Sequence, residues 1–290
     1  MTGRPTVLVT GPRGLLGATL MRVLPEAGLN AVPFRGDIRD AAGVAREIAA
    51  IAPVHIIHAA ALTDVGACER KPSEAHAVNG EGTKHIVDAA RSAGARILYI
   101  STASVLKGDR GGYREHDVPE PGNAYNASKR EGELHTLAYD NGVVLRLNVI
   151  GIHPDGSRGK NFLEWLFDCF RAGKDINLFT DSWINPLSNW TIAAYVAKIL
   201  AADRGDKILH VGSRDVLSKA DIGRLVHGRF PQYRGALRLD SVDTIADGVF
   251  RPKQMWLNTD RAAALLGPPP TVSQELETIF SHCHALAPLN

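Results

Sequence analysis

The chain has 290 residues, of which 44% are hydrophobic and 22% charged, and this ordinary globular composition predicts one or two domains with buried cores. Its net charge of +2, without any run of five or six like charges, argues against a nucleic-acid partner. Three widely spaced cysteines and the lack of an 18-residue apolar run argue against a disulfide framework, a metal site and a membrane span, so we expect a cytoplasmic protein.

Short apolar runs alternate with helix-like segments along the first half of the chain. The apolar runs predict strands at 6–10, 30–34, 54–61, 95–102 and 143–151. Helix-like segments separate them at about 14–27, 40–52, 73–94 and 123–142. Strand and helix in alternation indicate parallel strands with crossover helices on both faces. We therefore predict an α/β fold, a Rossmann doubly wound parallel sheet.

The pattern is less regular after Gly151. A helix-like segment at 161–173 and a short run at 176–179 precede another helix and strand at 191–202 and 207–213. We predict that residues 1–151 with about 188–213 form the Rossmann domain. Residues of about 152–187 and 214–290 would form a smaller C-terminal substrate-binding lobe.

The first strand runs directly into a glycine-rich turn, "TGPRGLLG". Glycines permit a tight turn and close backbone approach, and the following helix directs free N–H groups at a dinucleotide pyrophosphate. The same spacing also occurs for packing alone. From this turn we predict cofactor contacts by Gly11, Arg13, Gly14, Leu15, Leu16 and Gly17.

Two arginines favour NADP(H) over NAD(H) as the cofactor. Sites that prefer NAD usually carry an acid near the end of the second strand, but here that run ends at Arg35. Arg13 and Arg35 could hold a 2′-phosphate bidentately. Two solvated surface arginines are the alternative interpretation, and NAD(H) is the alternative cofactor.

Five motifs occur in the order and near the spacing of a known family: "TGPRGLLG", "GDIRD", "HAAALTDV", "YISTASV" and "YNASK". On these motifs the chain resembles the extended short-chain dehydrogenases/reductases. It is most similar to the group that includes the dTDP-4-dehydrorhamnose reductases, whose run into the catalytic helix resembles "REHDVPEPGNAYNASKREGE" at 114–133. The resemblance is specific through about Gly151 and looser to about Gly267.

A tyrosine and a lysine are spaced to share one helix face. Tyr125 and Lys129 stand four residues apart, and a nearby ammonium is expected to lower the phenol pKa from about 10. Thr102 places a hydroxyl at the ligand-binding edge of the sheet, with Ser101 and Ser104 as alternatives. The resemblance implies that Tyr125 protonates a carbonyl oxygen held by Thr102, while Lys129 also contacts the nicotinamide ribose.

The resemblance implies further site residues. Asp37 and Ile38 match positions at the adenine, although a loop with Asp40 as helix N-cap is an alternative. His58 and Asn79 fall near the site, as a core histidine or a polar helix residue in the simpler interpretation. The remaining cofactor contacts are Ala59, Ala60 and Ala61, and the predicted substrate contacts are Thr63, Asn148 and Trp183.

The C-terminal segments of this family bind the sugar nucleotide. Trp183 stands in a loop-like stretch and could stack on a base or sugar, whereas core packing is favoured for Trp165 and Trp190. Basic residues that could meet a diphosphate, or be solvated, are Arg158, Lys160, Arg251 and Lys253.

The resemblance implies an NADPH-dependent reductase of a nucleotide-linked 4-keto-6-deoxyhexose, with a homodimer as one expected assembly. The alternatives are an epimerase or dehydratase of the same family and a non-catalytic NADP-binding regulatory subunit. Dehydratases usually place acids directly after the catalytic hydroxyl, where this chain has Ala103 and Ser104. With no second acid–base pair in view, we predict reduction without epimerisation.

Overall fold

The computed structural model describes residues 3–156, 161–202, 206–230 and 232–282. The strands are β1 (Thr6–Thr10), β2 (Asn30–Pro33), β3 (His55–His58), β4 (Arg96–Ile100), β5 (Gly142–Arg146), β6 (Val149–Ile150), β7 (Ile176–Phe179), β8 (Trp183–Ile184), β9 (Leu187–Ser188), β10 (Ile208–His210), β11 (Leu217–Ser218) and β12 (Leu237–Asp240). The α-helices are α1 (Leu15–Glu26), α2 (Ala41–Ile51), α3 (Val65–Arg70), α4 (Pro72–Ala75), α5 (Gly82–Ala93), α6 (Ala124–Leu137), α7 (Phe162–Ala172), α8 (Asn189–Ala201), α9 (Lys219–His227), α10 (Asp260–Leu266) and α11 (Val272–His282). A π-helical segment, His76–Glu81, joins α4 to α5.

The central sheet has six strands in the order β2-β1-β3-β4-β5-β10, with every neighbouring pair parallel. Alternation along β1 explains why helices cover both faces. Val7 and Val9 face a core with α1 and α8, while Leu8 faces a core with α2 and α5. β2 pairs with one edge of β1 and β3 with the other, so the strand order reverses at β1. In parallel α/β sheets, ligands bind beyond the carboxyl ends of the strands at the point where the order reverses.

The predicted helix at 73–94 is interrupted. Its first part is α4 and its last part α5, with the π-helical segment between them. In that segment the amide of Asn79 accepts from Leu62 N (2.8 Å) and donates to Leu62 O (3.0 Å). Thr83 donates to Asn79 O (2.6 Å). π-Helical turns occur often at functional sites, and this one holds the chain that follows β3.

A second core lies in the C-terminal half of the chain. It contains buried side chains of α7, β7, α9 and α11. Meanwhile β10 pairs with β5 and α8 packs on α1, so these two elements join the first unit. The exact division into a Rossmann domain and a substrate lobe stays a prediction.

Two expectations from composition concern the cysteines and the possibility of a membrane-spanning helix. Cys68 and Cys169 are buried and free, and Cys283 lies outside the described residues. In the part of the chain that the structure describes, no helix is both long and apolar enough to cross a bilayer.

Candidate active site

The glycine turn packs closely against the residues that follow β3. Gly11 has a φ of +64°, and a Cβ there would lie 2.8 Å from Ala60 Cα. A Cβ on Gly17 would lie 2.0 Å from Gly11 O, so two of the three glycines are required by the turn itself. Gly14 is the N-cap of α1 and has no side chain to bond the first N–H groups, which leaves them for an anion.

His58 is a core residue that supports this turn. Its Nδ1 lies 2.7 Å from Thr10 Oγ1 and its Nε2 lies 3.0 Å from Thr83 Oγ1. Thr10 Oγ1 also accepts from the main chain of Ala59 and Ala60 (3.1 Å each). Burial, with the nearby Lys129 ammonium, lowers the pKa of His58 to about 3, so the ring is neutral. The simpler interpretation of His58 is supported.

Arg13 and Arg35 are both exposed, and they follow the carboxyl ends of β1 and β2. An acid that sequence reasoning missed lies beside Arg35. Glu47, on α2, accepts from Arg35 N (2.8 Å) and Gly36 N (3.0 Å) through its two carboxylate oxygens. It stands 12 residues after Arg35, so a search at the strand end alone could not find it.

Asp37 and Ile38 follow that strand but differ in setting. The Asp37 carboxylate binds the guanidinium of Arg39, with contacts from 2.6 to 3.0 Å, and this pair lowers the pKa of Asp37 to about 2. Ile38 is buried and its carbonyl accepts from His85 Nδ1 (2.9 Å). Asp40 caps α2 by accepting from Gly43 N, as the alternative interpretation stated.

The three predicted catalytic residues lie around the end of β4. Thr102 Oγ1 lies 2.9 Å from Ser104 Oγ, which donates to Asn126 Oδ1 (2.8 Å). The Thr102 hydroxyl also lies close enough to the Tyr125 phenol to lower its pKa. Ser101 instead donates to Glu133 (2.6 Å). Among the three candidate hydroxyls, that of Thr102 is therefore the one that affects the pKa of the phenol.

The predicted lowering of the Tyr125 pKa is wrong for this structure. Burial raises the pKa of the phenol to about 12, with the Cys68 thiol adding to the rise and the Thr102 hydroxyl opposing it. The Lys129 ammonium instead donates to Ile100 O (2.7 Å) and lies 4.0 Å from the centre of the Tyr99 ring. A raised pKa keeps the phenol protonated, which is the state a proton donor requires.

Lys129 is itself perturbed by its surroundings. The residue is 3% exposed, and burial lowers the pKa of its ammonium to about 7, an effect that Glu133 partly offsets. Glu133 lies one turn further along α6 and is fully buried. Lys129 can therefore exist in both charge states near neutral pH.

Glu133 is the centre of a buried ionic network that sequence reasoning missed. Both of its oxygens accept from Arg146 (2.8 Å each), and Arg130 adds a further contact (2.9 Å). Burial alone would raise the pKa of Glu133, but the bonds from Arg146, Ser101 and Arg130 keep it below its usual value. The network fastens α6, which carries Tyr125, to the ends of β4 and β5.

Two of the three predicted substrate residues contact the C-terminal segment 250–257. Asn148 Nδ2 donates to Met255 O (2.8 Å), and Trp183 N donates to Lys253 O (2.7 Å). The Trp183 residue is partly exposed, and Thr63 is exposed beside the N-cap of α3. The structure therefore brings Asn148 and Trp183 to one segment, whereas Thr63 lies in the loop between β3 and α3.

The other tryptophans and basic residues of the C-terminal half differ in their contacts. Trp190 stacks on His282, with ring centres 3.9 Å apart, whereas Trp165 is 41% exposed beside Phe162. Arg158 and Lys160 lie outside the described residues. Core packing thus describes Trp190 better than Trp165.

Comparison with known proteins places this geometry in a family. Residues 5–284 match the family model described as the RmlD substrate binding domain. The chain belongs to this family. It is 33% identical over 226 residues to a dTDP-4-dehydrorhamnose reductase from Streptomyces griseus, covering 76% of this chain and 69% of that protein. It is 29% identical over 217 residues to the spore coat polysaccharide biosynthesis protein SpsK from Bacillus subtilis, covering 73% and 75%.

Among solved structures, the fold is similar to that of dTDP-4-dehydrorhamnose reductase from Bacillus anthracis in complex with NADP. The TM-score is 0.88 at 25% identity, with 96% of this chain and 99% of that chain covered. The predicted extended short-chain dehydrogenase/reductase resemblance and the Rossmann fold class are therefore confirmed.

Proposed function

We propose that the protein is an NADPH-dependent reductase of a nucleotide-linked 4-keto-6-deoxyhexose. The observation that carries this proposal is the meeting of three side chains at the end of β4. Lys129 is buried with its ammonium 2.7 Å from Ile100 O, and the Thr102 hydroxyl lies close enough to the Tyr125 phenol to lower its pKa. Membership of the RmlD family, and relatives named dTDP-4-dehydrorhamnose reductase, support the same enzyme class, an oxidoreductase acting on a sugar nucleotide.

The residues of the glycine turn fit a dinucleotide. We assign the pyrophosphate to the uncapped start of α1 and the backbone of Gly11 and Gly14, where a Cβ on Gly11 would clash with Ala60. Arg13 and Arg35 would hold the 2′-phosphate, and a solved structure similar to this chain contains NADP. When bound, the nicotinamide supplies the hydride.

The protein's own residues then handle the carbonyl oxygen. Tyr125 is protonated at neutral pH because its pKa is raised, so it can donate its proton to the oxygen as negative charge develops there. Thr102 is oriented by Ser104 and holds the same oxygen. Lys129 supplies a buried positive charge next to Ile100 O, where its ammonium is available to the cofactor ribose.

Reduction without epimerisation remains our preferred reaction. Ala103, which follows Thr102, is 1% exposed and carries no acid, so it offers no second proton-transfer group. Cys169 is also unsuited, because burial raises the pKa of its thiol. The regulatory-subunit alternative is disfavoured by the complete Thr102, Tyr125 and Lys129 set. A cytoplasmic location and a homodimeric assembly complete the proposal.

The test is NADPH oxidation by the purified protein with a panel of dTDP- and UDP-linked 4-keto-6-deoxyhexoses, followed by absorbance and by product analysis. At least one member should be reduced at its carbonyl. Tight NADPH binding without turnover of any member would contradict the reductase and favour the regulatory subunit.

A further inference from the structure

Two histidines and two glutamates meet where the π-helical segment packs on α6. Glu131 and His135 stand four residues apart on α6 and share one face of that helix. His76 and Glu81 are the first and last residues of the π-helical segment. In an α-helix, a spacing of five residues would place the second side chain about 140° around the axis from the first. The wider π-helical turn brings the two onto one side, and the four residues form what we call the His/Glu cluster.

The nitrogen and oxygen atoms of the His/Glu cluster lie close to one another. His76 Nδ1 lies 2.6 Å from Glu131 Oε2, and His76 Nε2 lies 3.9 Å from Glu81 Oε1. His135 Nε2 lies 3.7 Å from the other Glu131 oxygen, Oε1. One such atom each from His76, Glu81 and Glu131 fall within 4.8 Å of one another. Two ligand atoms on one tetrahedral zinc ion, with bonds of about 2.0–2.2 Å, are roughly 3.3–3.5 Å apart, so the cluster is close to the size of a coordination shell.

One nitrogen of the cluster is buried without a hydrogen bond. His135 Nε2 is inaccessible to solvent and has no hydrogen-bond partner among the described residues. Its distance from Glu131 Oε1 is too long for a hydrogen bond but suits two ligands of one ion. Buried polar atoms are rarely left unpaired in native proteins, and a neutral imidazole nitrogen is a common metal ligand. The nitrogen is therefore expected to bind a further group.

The charge and the exposure of the cluster favour a cation. No lysine or arginine in the part of the chain that the structure describes lies within 4.0 Å of the Glu81 or Glu131 carboxylate. Two negative charges therefore stay uncompensated whenever the imidazoles are neutral. The Glu131 carboxylate packs directly on the π-helical backbone at Gly80, where a Cβ would overlap it. The side chains of His76 and Glu81 are 54% and 45% exposed, so an ion can enter from solvent and both groups can turn toward it.

We propose that the His/Glu cluster is a structural site for Zn²⁺, which binds His76, Glu81, Glu131 and His135. Imidazole nitrogen and carboxylate oxygen are both zinc ligands, and four of them complete a tetrahedral structural site. The widely spaced cysteines argue only against a site made of thiolates. The hydrogen bond between His76 and Glu131 opens as the half-exposed imidazole rotates, because 2.6 Å is shorter than the spacing of two ligands on one zinc ion.

The ion would fasten the π-helical segment to the helix that carries Tyr125. One link between them exists already, since Asn79 Nδ2 donates to Ser128 Oγ (3.0 Å). Ser128 Oγ in turn donates to Tyr125 O (2.8 Å), so the link ends at the backbone of the proposed proton donor. Zinc would add a second link on the outer side of the same two elements. We therefore expect bound zinc to reduce local opening of the π-helical segment.

The test measures Zn²⁺ binding by calorimetry to the full chain, freed of affinity tags and treated with a chelator. The proteins are the unmodified chain, Glu131→Gln, His135→Gln and the control His116→Gln. His116 is exposed in the loop between β4 and α6 and does not belong to the cluster. The unmodified chain should bind one Zn²⁺ at the cluster, and each cluster variant should bind it at least about tenfold more weakly, because even groups that only support a metal ligand contribute 10- to 100-fold in affinity. The control variant should bind normally.

Two further measurements separate this site from loose binding of zinc to surface histidines. Saturation with Zn²⁺ should slow amide hydrogen exchange over residues 76–82 in the unmodified chain and in His116→Gln, but not in His135→Gln. An excess of Mg²⁺ should leave Zn²⁺ bound, since Mg²⁺ prefers oxygen ligands.

Several outcomes would overturn the proposal. Zinc affinities of Glu131→Gln and His135→Gln within about twofold of the unmodified chain, or no zinc binding by the unmodified chain, contradict the site. Hydrogen exchange over residues 76–82 that does not change with zinc contradicts the link between the two elements. Displacement of the ion by Mg²⁺ would show that the histidines are not ligands.

Discussion

Replacing Glu133 with glutamine leaves the guanidinium of Arg146 buried without its counter-charge. Arg146 and Glu133 are both 0% exposed, and Arg146 donates two hydrogen bonds of 2.8 Å to the carboxylate. Removing one partner of a buried ion pair typically costs about 3–5 kcal/mol. The bonds from Ser101 and Arg130 to the same carboxylate are weakened as well and contribute to this loss.

Urea unfolding followed by circular dichroism measures this loss. Glu133→Gln should lower the free energy of unfolding by about 3–5 kcal/mol, and the melting temperature by roughly 6–15 °C for a chain of this size. The matched control is Glu120→Gln, which removes a carboxylate that is 61% exposed and 3.9 Å from Lys107. Surface pairs of this kind contribute about 0–1 kcal/mol.

A second variant separates charge burial from simple loss of contacts. In Glu133→Gln/Arg146→Met the unpaired guanidinium is gone, so the double variant should be more stable than the sum of the two single losses predicts. The reasoning would be refuted if Glu133→Gln lost less than about 1 kcal/mol, or if the two losses added without any coupling.

Four further outcomes are expected. Tyr125→Phe should lower kcat by about 10²–10⁴-fold without changing the Kd for NADPH, and near-normal turnover would move the proton donor elsewhere. The unmodified protein should use NADPH at least about tenfold better than NADH in kcat/KM, and Arg35→Asp should erase most of that preference; equal use of both cofactors would rule this out. Turnover in D₂O should place no deuterium at C3 or C5 of the sugar product, and incorporation there would reveal epimerisation. Burial lowers the pKa of His210 to about 3, below its unfolded value, so the unfolded chain binds a proton first as the pH falls. His210 should therefore cost about 2 kcal/mol of stability between pH 6.5 and 5, a loss that His210→Gln should reduce and that urea titrations at both pH values measure.

The strands of the central sheet were predictable because their signal is local. In β1, Val7 and Val9 alternate with Leu8, and the structure buries the two sets on opposite faces. The π-helical segment was not predictable in this way. It depends on the amide of Asn79 meeting the main chain of Leu62, 17 residues earlier, and no periodicity in the segment reports that contact.

The same contrast between local sequence signals and long-range contacts applies to the candidate site. The spacing of Tyr125 and Lys129 predicted that they share one helix. The direction of the Lys129 ammonium, however, is set by Ile100 O and the Tyr99 ring, which belong to β4. The choice among neighbouring hydroxyls was also long-range. Ser101 donates to Glu133, whereas the Thr102 hydroxyl is the one that lowers the pKa of the phenol.

Glu47 shows why an acid near the second strand need not indicate NAD. In an NAD site the carboxylate accepts hydrogen bonds from the ribose hydroxyls. Here both Glu47 oxygens already accept main-chain N–H groups, from Arg35 and Gly36, so the carboxylate fixes the turn that carries the arginine. The guanidinium of Arg35 stays exposed and can meet a phosphate. The proposed preference for NADPH thus depends on which groups the acid already binds, and that cannot be read from its place in the sequence.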